Sequence, residues 1–286
     1  MRRPRHTIVW SLSLLLLAAV LMGAKAKDNE EPRSIIFRYD WQSKIVRTAH
    51  FTEPSGIVYH RERDTLFVIG DEGDIAELTR EGKFLQRKIL DASRDLEGIT
   101  YDPATGLLYV AVEDREEILE VKPDGFAITR QFDVERKFDG KLILHKNDNM
   151  GFESITFVPD DTHPEGGSFF LGNQSFGIND EENPSVIIEV ELPLKSNTDR
   201  RGTVPIKRYF SIGIRDLSAL HYDRKTRHLL VVSDASNTFF EVSTAGQIVS
   251  YWAFPGADQE GITLDDEDFM YIAQDSGGIL KIKWLR

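Results

Sequence analysis

Apolar positions in this chain fall into short runs of four to eight residues, separated at steady intervals by Gly, Pro, Asp and Asn. Leu66–Ile69, Ile75–Leu78, Leu107–Val112, Ile118–Val121, Leu229–Val232 and Phe239–Val242 are typical. Runs of that length, rich in Val, Ile and Phe and bounded by turn builders, predict β-strands. The breaks carry matching chemistry: Arg80-Glu81-Gly82, Asp102-Pro103-Ala104-Thr105-Gly106, Lys122-Pro123-Asp124-Gly125 and Thr244-Ala245-Gly246 are turns. No segment sustains a helical period. The pattern predicts an all-β chain.

The strands are organised by a returning phrase. It reads Pro54-Ser55-Gly56-Ile57-Val58, Asp95-Leu96-Glu97-Gly98-Ile99, Gly151-Phe152-Glu153-Ser154-Ile155, Asp216-Leu217-Ser218-Ala219-Leu220 and Asp258-Gln259-Glu260-Gly261-Ile262. Anchored on Ser55, Glu97, Glu153, Ser218 and Glu260, successive copies lie 42, 56, 65 and 42 residues apart. Self-similarity at that period, with about four short strands per unit, is the signature of a β-propeller. The last unit has only three strands, Ile262–Leu264, Phe269–Ala273 and Ile279–Lys283. A strand from the N-terminal region, Ile35–Tyr39 or Lys44–Ala49, can supply the fourth and close a ring of five four-stranded blades. A sixth blade stays open if both N-terminal strands form a degenerate unit. Two polar stretches, 133–150 and 173–185, lengthen the third repeat, and long polar loops on a repeat scaffold mark a binding face.

The N-terminus breaks the pattern. Arg2, Arg3 and Arg5 precede an apolar run from Ile8 to Gly23, which ends at Ala24-Lys25-Ala26. That is the plan of a secretory signal peptide spanning 1–26, with an uncleaved membrane anchor as the competing reading. Residues 27–33 are charged and read as a linker, leaving 34–286 as a single propeller domain. The protein is thus expected to be exported: periplasmic, secreted, or tethered to the membrane only through its N-terminal segment. Removing the leader takes four basic residues and shifts the net charge from −12 to −16. So acidic a body argues against a nucleic-acid partner. The absence of Cys excludes disulfides and thiolate chemistry, so the ring must close by packing and strand pairing. A monomer is expected.

Candidate chemistry follows from propeller geometry, in which the first strand of each blade lines the central channel. Five anchors should meet at one mouth, three of them carboxylates (Glu97, Glu153, Glu260) and two hydroxyls (Ser55, Ser218). The turn after each second strand should reach the same face with Asp71, Asp114, Asn173, Asp234 and Asp275; Asn149, in the 133–150 insertion, joins them. Two carboxylates about 5 Å apart repel by roughly 3 kcal/mol at an effective dielectric near 20. Such a cluster takes up protons or recruits a cation. Oxygen-only donors favour Ca²⁺, with Mg²⁺ second, so Glu97, Glu153 and Glu260 are the metal candidates. The competing structural role is hydrogen bonding between blades for the Glu set and turn capping for the outer Asp. HExxH, P-loop, GxGxxG and GxSxG patterns are absent, and no catalytic residue stands out.

The Glu-Gly-Ile type phrases (Asp95–Ile99, Met150–Ile155, Gln259–Ile262), the variants Ser55-Gly56 and Ser218-Ala219, and Leu230-Val-Val-Ser-Asp234 resemble the SdiA-regulated, YjiK-like family of exported bacterial proteins over about residues 34–284. The resemblance implies a propeller with an N-terminal targeting segment and no established activity. A more distant likeness to calcium-dependent lactonase and esterase propellers implies a metal at the channel mouth, with Glu97, Glu153 and Glu260 as ligands by analogy. Two functions are carried forward, with a metal-free interaction scaffold as a third. One is a calcium-binding module that senses or binds a small molecule or envelope protein. The other is a metal-dependent esterase or lactonase.

Overall fold

Where the apolar runs find partners decides the architecture. The computed structural model describes residues 36–37 (backbone only), 53–113, 115–144, 151–175, 185–253 and 258–284. The leader, the linker, Lys44–Ala49, Asp114 and Asn149 lie outside these residues. No helix occurs among those described.

Five sheets form. The N-terminal strand β1 (Ile36–Phe37) is followed by blade one, with β2 (Pro54–His60), β3 (Thr65–Gly70), β4 (Asp74–Thr79) and β5 (Phe84–Ile89). Blade two holds β6 (Leu96–Tyr101), β7 (Leu108–Val112), β8 (Glu117–Val121) and β9 (Ile128–Val134). A hairpin of β10 (Lys137–Phe138) and β11 (Lys141–Leu142) follows, turned by Asp139 and Gly140, both at positive φ. An Asp-Gly pair is what a two-residue hairpin turn requires. Blade three is β12 (Phe152–Pro159), β13 (Gly167–Asn173), β14 (Ile187–Val190) and, after an interposed β15 (Arg201–Val204), β16 (Ile206–Phe210). Blade four is β17 (Ala219–Asp223), β18 (His228–Ser233), β19 (Thr238–Ser243) and β20 (Ile248–Ala253). Blade five is β21 (Gln259–Leu264), β22 (Phe269–Gln274) and β23 (Gly278–Lys283), completed by β1.

The ring closes at five blades. β1 pairs antiparallel with β23, Ile36 opposite Lys283 and Phe37 opposite Ile282, so the first strand locks the last blade. The stretch Val204–Phe210, which along the sequence reads as one outer strand of the third repeat, is divided in the structure. The chain first runs parallel to β9 through β15, extending blade two, and only then crosses to blade three as β16. Pro205 marks the break, because it has no N–H to continue a ladder.

The core lies between blades. Each of the five apolar clusters draws on two neighbouring sheets: Val58, Phe67 and Ile69 with Leu96, Ile99 and Val110, for instance. Tyr271, Ala273 and Ile279 of blade five pack against Ile57, Leu66 and Val68 of blade one, so the seam is as apolar as the other interfaces. Burial on both faces explains why the inner strands are continuously apolar rather than alternating.

Small residues near the axis let the blades approach. A Cβ on Gly98 would lie 2.6 Å from the backbone N of Ile155 and 2.8 Å from Ser154 Cα. One on Gly56 would lie 2.7 Å from the Glu97 carbonyl oxygen. The Gly of the phrase is therefore a contact requirement between inner strands.

Candidate functional site

The channel has two ends, and the five inner strands all run the same way between them. Their starting ends surround a narrow cavity lined by Gly56, Glu97, Glu153, Ala219 and Glu260 among others. This leading mouth brings Glu97, Glu153 and Glu260 together around one axis, as the repeat geometry requires.

A backbone irregularity aims these side chains. The β2–β3 register skips from Pro54 to Gly56, and β6–β7 from Leu96 to Gly98. Likewise β12–β13 skips from Phe152 to Ser154 and β21–β22 from Gln259 to Gly261. Ser55, Glu97, Glu153 and Glu260 are the bulged residues, and a β-bulge redirects a side chain that the pleat would otherwise bury in the sheet. In blade four the ladder begins at Ala219, directly after Ser218.

Ser and Glu at this position do different work. Ser55 Oγ donates to the Leu96 carbonyl, and Ser218 Oγ donates to the Gln259 carbonyl at 2.6 Å. Each fastens its blade to the next. Ser154 Oγ does the same from blade three, donating to Leu217 O at 3.1 Å. Among the described residues, none of Glu97, Glu153 and Glu260 accepts a hydrogen bond from a backbone N–H. The blade-stitching role thus belongs to the serines. Replacing Ser218 by Ala is expected to cost about 1 kcal/mol of stability, the net worth of one buried hydrogen bond. Urea unfolding measures it, and an unchanged midpoint would remove the stitch from the account.

A second inter-blade device sits three residues further along. The hydroxyls of Thr100, Thr156 and Thr263 accept hydrogen bonds from the backbone N–H of Phe157, Tyr222 and Tyr59, at 3.1, 2.8 and 3.0 Å. All three Thr are buried. The pairing of Glu with Thr in Glu97-Gly-Ile-Thr100, Glu153-Ser-Ile-Thr156 and Glu260-Gly-Ile-Thr263 is visible in the sequence, although its meaning is not.

Electrostatics set the mouth apart. Burial pushes Glu97 and Glu153 well above the ordinary carboxylate range; next in weight, Glu153 acts on Glu97 and Glu113 on Glu153. Burial, then Asp234 and Asp216, raise Glu260 to about 8. Burial, then Asp95 and Asp275, raise Asp71 to about 7. Burial is also the first cause of the upward shifts at Glu113, Asp216 and Asp275. Other buried carboxylates behave oppositely. Glu77 accepts from Arg63 at 2.8 Å and Glu120 accepts from Arg130, and despite their burial both are held below the usual range by those partners. Arg94, the basic side chain buried near this face, is taken up by Asp91 and Glu117. Carboxyls at the mouth face mainly one another.

Of the outer residues, Asp71 reaches the Glu ring. Oxygens of Asp71, Asp95 and Glu97 lie within 4.8 Å of one another, and so do those of Glu53, Asp71 and Asp275. Asp71 belongs to both groups. Two oxygens on one Ca²⁺ at 2.3–2.6 Å can be at most about 5 Å apart, so either set is compatible with a shared ion. Glu153 and Glu260 line the same cavity without belonging to either trio.

The ladders also adjust the outer ring. Gly70 pairs with Pro54 and Val112 with Leu96, so the register partner of Asp71 in blade two is Glu113. Asp114 lies outside the described residues. Buried Glu113 accepts from Gly151 N at 3.0 Å and faces Glu153. Asn173 Oδ1 accepts from Val186 N at 2.8 Å, and Asp234 Oδ1 from Gln259 N at 2.9 Å, so both hold backbone. Asp95, Glu53 and Glu113 are the site residues that sequence reasoning passed over. The available signal was an acidic residue two places before the anchor, in Glu53, Asp95, Asp216 and Asp258.

Solved structures share this fold. A glutaminyl cyclase of Myxococcus xanthus superposes with a TM-score of 0.55 at 11% identity, covering 81% of this chain and 90% of that one. A gluconolactonase of Xanthomonas campestris gives a TM-score of 0.50 at 13% identity, covering 89% and 95%. At such identities the likeness is one of architecture. The sequence profile of the SdiA-regulated proteins matches residues 35–277, the whole span that carries the repeated phrase, and the chain belongs to that family.

Proposed function

We propose that this protein is an exported cell-envelope propeller whose leading mouth binds Ca²⁺ and, with the metal in place, recognises a small molecule or an envelope protein. The observation that carries the reading is the convergence of Asp71, Asp95 and Glu97 within 4.8 Å, beside further buried carboxyls. Perturbed carboxyls gathered in a concavity are the usual mark of a binding site. Ca²⁺ supplies the charge that the protein withholds. The basic, apolar and small-residue segments of 1–26 support export, and the Cys-free composition requires no particular redox compartment.

Isothermal titration with calcium tests the reading. A 1:1 isotherm is expected for the wild type, and its loss is expected in Asp71→Asn, because Asp71 serves both oxygen clusters. An equal isotherm in the variant, or none in the wild type, would remove the site.

A second reading rests on Glu260, which titrates at about 8, near neutral pH where a general acid or base is most effective. A metal beside such a group polarises a carbonyl or activates water. The gluconolactonase likeness makes sugar lactones the first substrates to try. Turnover that requires calcium and disappears in Glu260→Gln selects the hydrolase, and silence across lactones and aryl esters leaves the binding module.

A further inference from the structure

The other end of the channel is a different chemical environment. The trailing ends of the five inner strands open into a cleft. Its floor carries Val58, Thr100, Thr156 and Leu264, and its walls Tyr101, Phe157, Tyr222 and two prolines, Pro103 and Pro159. Three cationic side chains, Arg61, Arg224 and Lys225, stand at the rim. Aromatic and apolar side chains beside charged rim groups make a concave surface of the kind that holds small molecules.

The rim acids are largely committed. Buried Asp223 accepts from Lys225 N at 3.0 Å and from Thr226 Oγ1 at 2.9 Å. Buried Asp265 accepts from Glu267 N and Phe269 N, both at 2.9 Å, and pairs with Arg80. Arg61 pairs with Asp266, and Lys225 with Asp268 at 2.8 Å. Arg224 is exposed and has no hydrogen bond or ion pair among the described residues. An uncommitted guanidinium thus sits over an aromatic-walled cleft, on a protein whose net charge is −12. Planar, always charged and weakly hydrated, it suits a carboxylate better than an ammonium would.

We propose that this trailing mouth binds a small organic carboxylate with a flat apolar body, Arg224 taking the carboxylate and Tyr101, Phe157 and Tyr222 enclosing the body. The site is independent of the calcium reading, since it uses the opposite ends of the same strands and none of the acidic cluster.

Fluorine NMR of a panel of fluorinated carboxylates, led by 4-fluorobenzoate, tests it on the full chain. Line broadening on addition of protein is expected for the carboxylate, and much less for 4-fluorobenzyl alcohol, which has the ring without the charge. Arg224→Gln is expected to weaken binding roughly tenfold, the effect of one lost charge-assisted hydrogen bond. The replaced side chain is exposed, so the fold should persist, and an unchanged melting temperature checks that. Chelator and Asp71→Asn should leave the broadening as it was, which separates failure here from failure at the other mouth. No broadening across the panel, equal broadening by the alcohol, or wild-type binding by Arg224→Gln would each overturn the proposal.

Discussion

Calcium added to chelated protein at about pH 8.5 is expected to raise the melting temperature by roughly 5–10 °C at a hundredfold excess over Kd. A ligand that binds only the folded state at that excess contributes about 2.7 kcal/mol, and 1 kcal/mol moves Tm by about 2–4 °C in a domain of this size. The pH dependence has a definite sign. Asp71 and Glu260 titrate near 7 and 8 when folded, against ordinary carboxylate values when unfolded, and Glu97 and Glu153 shift in the same direction. Between about pH 4 and pH 8 these groups hold more protons folded than unfolded, so their contribution to metal-free stability falls as pH rises through that window. Calcium requires the deprotonated carboxylates, so its stabilisation should grow across the same window and shrink near pH 5. Scanning calorimetry with and without chelator at both pH values measures the effect. Equal calcium shifts at the two pH values would break the link between the raised carboxyls and the metal.

Replacing Phe169 by Ala should destabilise the ring more than any single change at the mouth. Phe169 is fully buried, with ring centroids 4.7 Å from Tyr109 and 4.9 Å from Phe157. It thereby joins the second blade to the third in a cluster that also holds Phe132, Leu171 and Val190. Truncation removes the ring's transfer free energy and leaves a cavity that two rigid sheets cannot collapse to fill. The cost is expected to be about 3–5 kcal/mol, measured by urea unfolding. Without a disulfide to hold the blades, the seam between sheets carries the closure, and this seam is among the most aromatic. A loss under about 1 kcal/mol would mean that the two sheets do not pack as described.

Much of this architecture is readable along the chain because a propeller repeats. Glu97-Gly-Ile and Glu260-Gly-Ile announce inner strands without reference to the rest of the molecule, and the missing strand after Lys283 announces its replacement from the other terminus. β15 is not readable in the same way. Its parallel pairing to β9 brings together residues about 70 apart, and only the seating of two blades shows that Arg201–Val204 belongs to the second one. The blade-two equivalent of Asp71 is likewise invisible by counting: both blades carry the same bulge, and only the pairing of Val112 with Leu96 gives the position to Glu113. The trailing cleft has no signature at all. Arg61, Tyr101, Phe157 and Arg224 come from four repeats, and each alone reads as an ordinary surface or core residue.

The linear order of residues was sufficient for an all-β propeller of five blades or six, a closing strand from the N-terminus, and carboxylates at the start of three inner strands. Periodicity and turn chemistry are local properties, and they survive being read one repeat at a time. Which oxygens come within reach of a common ion, which serines only fasten blades, and which guanidinium is left uncommitted were decided by the tertiary structure. Those are distances and partnerships between side chains of different blades, created when apolar faces pack and bring the inner strands to one axis.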